Sequence, residues 1–159
     1  MKQLILILLT MVSSCAYAQT GMHISALFEG KIVPVGKMVE TRIRGKSISK
    51  YKLSYFHSVR FKTDEALLKK VDRLATADYV ADSEKFRDRS LESHASSVDT
   101  SGKSSHSTGT MEATLMYELA PHGNTNRFLC YKVKGDVMTV IYMEGTVSSL
   151  EELRNIFKD

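Results

Sequence analysis

The sequence has little of what stabilises very small or fibrous proteins: its 159 residues include two cysteines, two prolines and no tryptophan. Two cysteines cannot build a disulfide network, and two prolines exclude a proline-rich ligand. A hydrophobic fraction of 43% is enough for a core, which excludes a largely disordered chain. The length fits one domain, and the net charge of +4 is a mild basic excess.

Short motifs of common catalytic and cofactor sites are also missing from the sequence. It contains no phosphate-binding glycine loop, no His-Glu-x-x-His, no Cys-x-x-Cys and no Gly-x-Ser-x-Gly. We therefore expect no cofactor and no metal, and we favour a non-catalytic domain. A small hydrolase remains the alternative.

The first 18 residues have the pattern of a secretory signal peptide. Lys2 precedes an apolar stretch at 4–12, and Ala16-Tyr17-Ala18 provides small residues before the cleavage point. The stretch is too short to span a bilayer, so we expect no transmembrane helix. The sequence predicts a periplasmic or secreted protein. A minor alternative is a lipoprotein, because Val12-Ser13-Ser14-Cys15 resembles a lipobox that would place a lipid on Cys15.

Residues 19–159 predict a single α+β domain. Alternating apolar and polar residues indicate strands, and apolar residues at three- and four-residue spacing indicate helices. The predicted strands lie at 38–44, 51–62, 111–119, 128–133 and 137–143, and the predicted helices at 64–82 and 148–157. Short turns between successive strands favour a mainly antiparallel five-stranded sheet with both helices packed on one face. Residues 90–110 are rich in Ser, Thr and Gly, which predicts a mobile loop.

The C-terminal hairpin is the most specific structural prediction. Gly135-Asp136 suits a two-residue turn, which places Leu129 opposite Tyr142 and Arg127 opposite Glu144 as a cross-strand ion pair. A capping box, Ser148-x-x-Glu151, predicts the start of the last helix.

The second face of this hairpin is also apolar, since it carries Phe128, Cys130, Ile141 and Met143. With both helices on the first face, the second would be covered by residues 21–36 or by another molecule, including a second copy in a homodimer. Cys130 itself is expected to be a small buried hydrophobic residue rather than a nucleophile.

Residues 37–62 are strongly basic, with Glu40 as their single acid and aromatic residues interleaved. This pattern is typical of a face that binds nucleic acid or an anionic glycan, and a solvated surface is the alternative. Because an exported protein rarely meets nucleic acid, we expect an anionic glycan, a protein or an envelope component as the partner. The candidate ligand-binding residues are Arg42, Arg44, His57 and Arg127.

Hydrolytic residue types occur in the Ser-rich segment, including His94, Asp99, Ser105 and His106. A catalytic triad needs a rigid frame, so a solvated loop is the favoured interpretation of this segment. His57 lies on the apolar side of its strand, where a hydrogen-bonded core histidine is favoured over a general base.

Several C-terminal segments resemble a family of small exported Bacteroidales proteins of unknown function. The resemblance rests on Asn126-Arg127-Phe128-Leu129-Cys130-Tyr131, Ile141-Tyr142-Met143-Glu144-Gly145-Thr146 and Leu150-Glu151-Glu152-Leu153. Arg44-Gly45-Lys46, Tyr51 and Leu53 fit the same pattern upstream. The resemblance implies export and carries no catalytic residue.

Overall fold

The computed structural model describes residues 21–90 and 112–156 of the chain. Its elements are α1 (Ser25–Phe28), β1 (Met38–Arg44), β2 (Leu53–Lys62), α2 (Glu65–Ser90), β3 (Glu112–His122), β4 (Thr125–Lys134), β5 (Val137–Gly145), α3 (Leu150–Ile156) and two 3₁₀ helices (Val35–Lys37, Gly45–Tyr51). The strands form one antiparallel sheet in the order β1-β2-β5-β4-β3, which confirms the α+β class. The predicted signal peptide and residues 91–110 of the predicted loop lie outside the described residues.

The predicted hairpin register is confirmed. Leu129 pairs with Tyr142 and Arg127 pairs with Glu144, and Gly135 in the turn has a φ of 62°. A positive φ is easily reached by glycine, so this turn can match the twist of its strands.

Several predicted boundaries differ from the structure, two of them at the ends of the segment 51–90. Tyr51 belongs to the second 3₁₀ helix, and Lys52 has a φ of 57°, so β2 begins at Leu53. The helix predicted at 64–82 continues to Ser90. Its start follows the expected chemistry, since the Leu67 amide donates to the Asp64 Oδ1 atom over 2.7 Å.

One face of the sheet, called here the α2 face, packs against α2 and the N-terminal segment. The fully buried side chains between them include Leu27, Val59, Val71, Leu129, Met138 and Tyr142. Asp78 fastens the N-terminal segment to α2, because its carboxylate accepts the amides of His23 (2.6 Å) and Ile24 (2.8 Å). Burial raises the pKa of Asp78, while these two amides oppose the rise.

The opposite face, called the α3 face, is covered by α3 and the second 3₁₀ helix. Leu153 and Ile48 pack there with Phe128, Cys130 and Met143. The expectation that both helices share one face is therefore not confirmed, and the two long apolar surfaces of the hairpin each receive their own helix. Residues 21–36 do not cover this face, because their buried side chains join the other cluster. The apolar hairpin face is already buried within one chain.

The cap of α3 is shifted by one residue from the predicted box. The Glu152 amide donates to Ser149 Oγ over 3.2 Å, so Ser149 rather than Ser148 caps the helix. The Glu152 carboxylate accepts from the Ser148 amide and hydroxyl, each over 2.7 Å, and also binds Lys52. The hydrogen bond from Lys52 has the largest effect, and together these contacts lower the pKa of Glu152 to about 2. They join the start of β2 to α3.

Within the described parts of the chain, no helix is long and apolar enough to cross a membrane.

Candidate functional site

His57 lies inside β2 and is only 1% exposed. Its Nε2 atom is 2.7 Å from Glu40 Oε1, its Nδ1 atom is 3.2 Å from the Tyr55 hydroxyl, and the Phe28 ring lies 4.5 Å from its own. Burial lowers the pKa of His57, and the carboxylate of Glu40 opposes this effect. Since both ring nitrogens have hydrogen-bonding partners and the ring is buried, this geometry favours the core histidine over the general base.

Arg42 and Arg44 lie on the same side of β1, over His57 and Tyr55. Arg42 is opposite His57 in the β1–β2 register, and its Nη2 atom is 2.6 Å from Glu40 Oε1. The Arg44 guanidinium lies 4.5 Å from the centre of the Tyr55 ring, which is a cation–π distance. The structure thus brings three of the four candidate residues together, as one hydrogen-bonded and stacked group.

Arg127 lies two strands away and joins the sheet to α2. Its Nη2 atom is 2.7 Å from Asp82 Oδ2, and its Nε donates to the Ala120 carbonyl over 2.6 Å. The side chains of Arg127 and Asp82 are 14% and 13% exposed. The predicted ion pair with Glu144 is replaced by this contact, and the Glu144 carboxylate accepts from the Tyr142 hydroxyl over 2.6 Å.

Each of the four candidate residues therefore has a partner within the fold. These contacts stabilise the β1–β2 part of the sheet and the attachment of the sheet to α2. A role in ligand binding stays a prediction for all four. A shallow depression on the described surface is lined by Ser149, Glu151, Glu152, Asn155 and Ile156, which places it on α3 and apart from them.

Cys130 is buried on the α3 face. Burial raises the pKa of its thiol to about 11, although the nearby charges of Lys132 and Arg154 act in the other direction. A thiol with this pKa is almost entirely protonated at neutral pH, which fits the expected role of a small buried hydrophobic residue.

The basic segment 37–62 does not form one face in the structure. Arg42 and Arg44 point to the α2 face, whereas Arg60 and Lys62 share the parity of Phe56 and lie on the α3 face. Strand alternation separates them, because successive side chains point to opposite sides of a sheet.

The part of the α3 face beyond α3 carries a different group of basic residues. Arg60 of β2 and Lys132 of β4 both lie opposite Thr139 of the intervening strand β5, and Lys62 and Lys134 both lie opposite Val137. The four basic side chains are exposed. We call Arg60, Lys62, Lys132 and Lys134 the basic patch.

Acidic residues lie beside the basic patch near the turn between β4 and β5. Lys62 is 3.7 Å from Asp136, and Glu112 is opposite Lys134 in the β3–β4 register. At the other end, Arg154 of α3 and Lys132 both act on the Cys130 thiol, so Arg154 extends the positive surface toward the helix.

No sequence pattern joins Lys132 and Lys134 of the hairpin to Arg60 and Lys62 of the basic segment 37–62. The alternation within each strand was a sufficient signal for the side of the sheet. The pairing of β2 with β5 is the contact that brings the two sets together, and no local pattern specifies it.

The catalytic residue types at 94–106 lie outside the described residues. Among residues 21–84 and 113–156, whose side chains the structure describes, no three His, Cys, Asp or Glu side chains are grouped as potential metal ligands.

Comparisons with known proteins give a family and no activity. No curated protein and no solved structure matches the chain. The model of one family, described as a family of unknown function (DUF6108), matches residues 11–157. Since this match spans nearly the whole sequence, the chain belongs to the DUF6108 family.

Proposed function

We propose that this protein is a non-catalytic, exported binding domain of a Bacteroidales cell that holds an anionic glycan on the basic patch. The observation that carries the proposal is the row Arg60–Thr139–Lys132, in which two exposed cations flank a half-buried hydroxyl across three adjacent strands. Export is supported by the signal-peptide pattern of residues 1–18, and the intact mass of the exported protein tests cleavage after Ala18 against lipidation at Cys15.

The geometry of the row suits an extended polymer better than a small compact anion. Neighbouring strands are about 4.8 Å apart, so Arg60 and Lys132 originate about 10 Å from each other. Thr139 lies between them and can donate to or accept from a sugar hydroxyl. A flat strand surface with spaced cations can contact successive acidic units of one chain.

The experiment compares two double variants with equal change in charge. Arg60→Glu with Lys132→Glu reverses the centre of the patch. Lys70→Glu with Arg73→Glu is the matched control, because both residues are exposed on α2, which packs on the other face. Alginate, a polyuronate, is the anionic probe, and uncharged dextran is the neutral probe. Binding is measured by calorimetry at several salt concentrations.

We expect alginate to bind the natural chain and dextran not to bind. Each exposed charge contact contributes up to about 1 kcal/mol, so the patch variant should lose about 2 kcal/mol, or roughly 30-fold in affinity. It should also show a weaker salt dependence than the natural chain. The affinity of the control variant for alginate should stay within about threefold of that of the natural chain. Any loss in the control reports only the general effect of the lower net charge.

Equal losses in the two variants would contradict a specific role of the basic patch. Absence of alginate binding to the natural chain at low salt would contradict the proposed ligand class and leave a protein partner as the next hypothesis.

A further inference from the structure

Within the described residues, β1 forms one edge of the sheet, and its outer backbone groups face away from β2. The strand pairs with β2 over all of Met38–Arg44 without a register shift, and it contains no proline or lysine. Edge strands are usually protected by charged residues, proline or bulges, because a regular edge is a template for another strand. β1 does carry charged residues, but they are of both signs, so they can pair with those of a second copy. β1 also carries Val39, which is 67% exposed.

We infer that β1 pairs with β1 of a second copy of this chain, antiparallel and with a two-fold axis through Thr41. In this register Glu40 of each copy is opposite Arg42 of the other, and Val39 is opposite Ile43. Opposite charges and apolar pairs at facing positions stabilise neighbouring strands, so the sequence of β1 is complementary to itself.

Neighbouring registers lack this complementarity. A shift of two residues one way places Glu40 opposite the second Glu40, and a shift the other way places Arg42 opposite the second Arg42. Like charges at facing positions are destabilising. A shift of one residue turns one copy over, so that the α3 faces of the two copies lie on opposite sides. Exposed Val39 of one copy is then opposite a charged residue of β1 in the other copy.

The charged side chains of β1 remain accessible for such a contact. The side chain of Arg42 is 45% exposed and that of Glu40 is 31% exposed, although the two already form an ion pair within the strand. In the dimer the two ion pairs lie next to each other around the two-fold axis and form a group of four alternating charges. None of these residues belongs to the basic patch, so the dimer does not depend on the proposed glycan binding.

The first test uses disulfide trapping in the full chain with Cys15→Ser, which leaves buried Cys130 as the remaining native thiol. Thr41→Cys places two thiols at facing positions, where Cβ atoms are about 5 Å apart. A movement of the two strands by about 1 Å brings them within disulfide range, so the bond can form under mild oxidation. Val39→Cys is the control: it is as exposed, but the two copies of residue 39 are offset by four residues, or about 13 Å along the strand.

We expect Thr41→Cys to form a covalent dimer at least tenfold faster than Val39→Cys. A mixture of Val39→Cys and Ile43→Cys chains should form mixed dimers readily, because those positions face each other. Equal or slower cross-linking at position 41 than at position 39 overturns the inference.

A second test exchanges charges and is read by sedimentation. Glu40→Arg alone and Arg42→Glu alone each place four like charges around the axis, so each variant should dimerise at least tenfold more weakly than the natural chain. An equimolar mixture restores opposite charges at every facing position and should recover dimers. Circular dichroism verifies that each variant is folded, and where one is not, the cross-linking test decides. A monomeric natural chain at high concentration, or a mixture no more dimeric than its components, contradicts the proposed interface.

Discussion

Arg127 was a candidate ligand-binding residue, but its hydrogen-bonding partners predict that it contributes mainly to the stability of the fold. The guanidinium is tied to Asp82 at 2.7 Å, where both side chains are less than 15% exposed, and to the Ala120 carbonyl at 2.6 Å. Asp82 Oδ2 also accepts the Ala120 amide at 3.1 Å, so one carboxylate serves both the cation and the β3 backbone. We therefore expect truncation of either side chain to loosen the contact between α2 and the sheet.

The magnitude follows from the burial of the pair. Removing one member of a buried ion pair typically costs 3–5 kcal/mol, because the other charge stays in a site of low polarity. Since this pair retains some solvent access, we expect about 3 kcal/mol for Asp82→Ala and a similar value for Arg127→Met. The double variant should cost about 4 kcal/mol rather than 6, which gives a coupling free energy of about 2 kcal/mol.

Urea unfolding followed by circular dichroism at pH 7 measures each variant of the cycle. Glu65 and Lys69 on the same helix provide the control, since they are paired over 2.6 Å but are 79% and 69% exposed. Their cycle should give a coupling of about 0.5 kcal/mol or less. A coupling below about 0.5 kcal/mol between Arg127 and Asp82 would refute the structural assignment and return Arg127 to the set of candidate ligand contacts.

Three further predictions concern backbone packing, pH and thiol chemistry. A Cβ atom at Gly145 would lie 2.2 Å from the Lys52 carbonyl oxygen, so Gly145→Ala should lower the free energy of unfolding, measured by urea titration, by about 3 kcal/mol. Gly36→Ala is the control: a Cβ atom there would meet open space, so this variant should be neutral or slightly stabilising. The pKa of His57 is lowered in the folded state, so the contribution of the neutral ring to the free energy of unfolding is fully present above the unfolded pKa, about 6.5, and is lost as the pH falls below that value. His57→Gln should therefore reduce the loss of stability between pH 7 and pH 5. An unchanged slope of stability against pH would contradict this. With its pKa raised to about 11, Cys130 should react with a disulfide reagent at least 100-fold more slowly in the native state than in urea, and comparable rates would show that the thiol is accessible.

Local patterns were enough to predict the elements and one pairing. The turn at Gly135 and Asp136 joins two strands whose alternation is clear, and only the register with Leu129 opposite Tyr142 keeps their apolar sides together. These interactions span few residues, so the sequence near the turn contains all the information that the register requires. The same holds for the alternation of β1, which places Glu40 and Arg42 on one side.

Features that depend on distant contacts could not be predicted in this way. The apolar side of α3 could pack on either face of the hairpin, because Leu129 and Tyr142 make one face apolar while Phe128 and Met143 make the other so. Because α2 covers one face of the sheet, the opposite face is the one on which α3 packs. Capping shows the same limit on a smaller scale, since Ser148 and Ser149 both fit the motif and the additional contact of Glu152 with Lys52 is a tertiary one.

The sequence by itself determined the α+β class, the hairpin and the side of its strand on which each basic residue lies, because these follow from turn chemistry and a two-residue period. Only the tertiary structure decided which strands are neighbours. The pairing of β2 with β5 joins Arg60 to Lys132 through Thr139, and the attachment of α2 engages Arg127 inside the fold. Both outcomes rest on contacts between residues far apart in the chain, where many pairings satisfy the same local pattern and the packing of the whole core selects one.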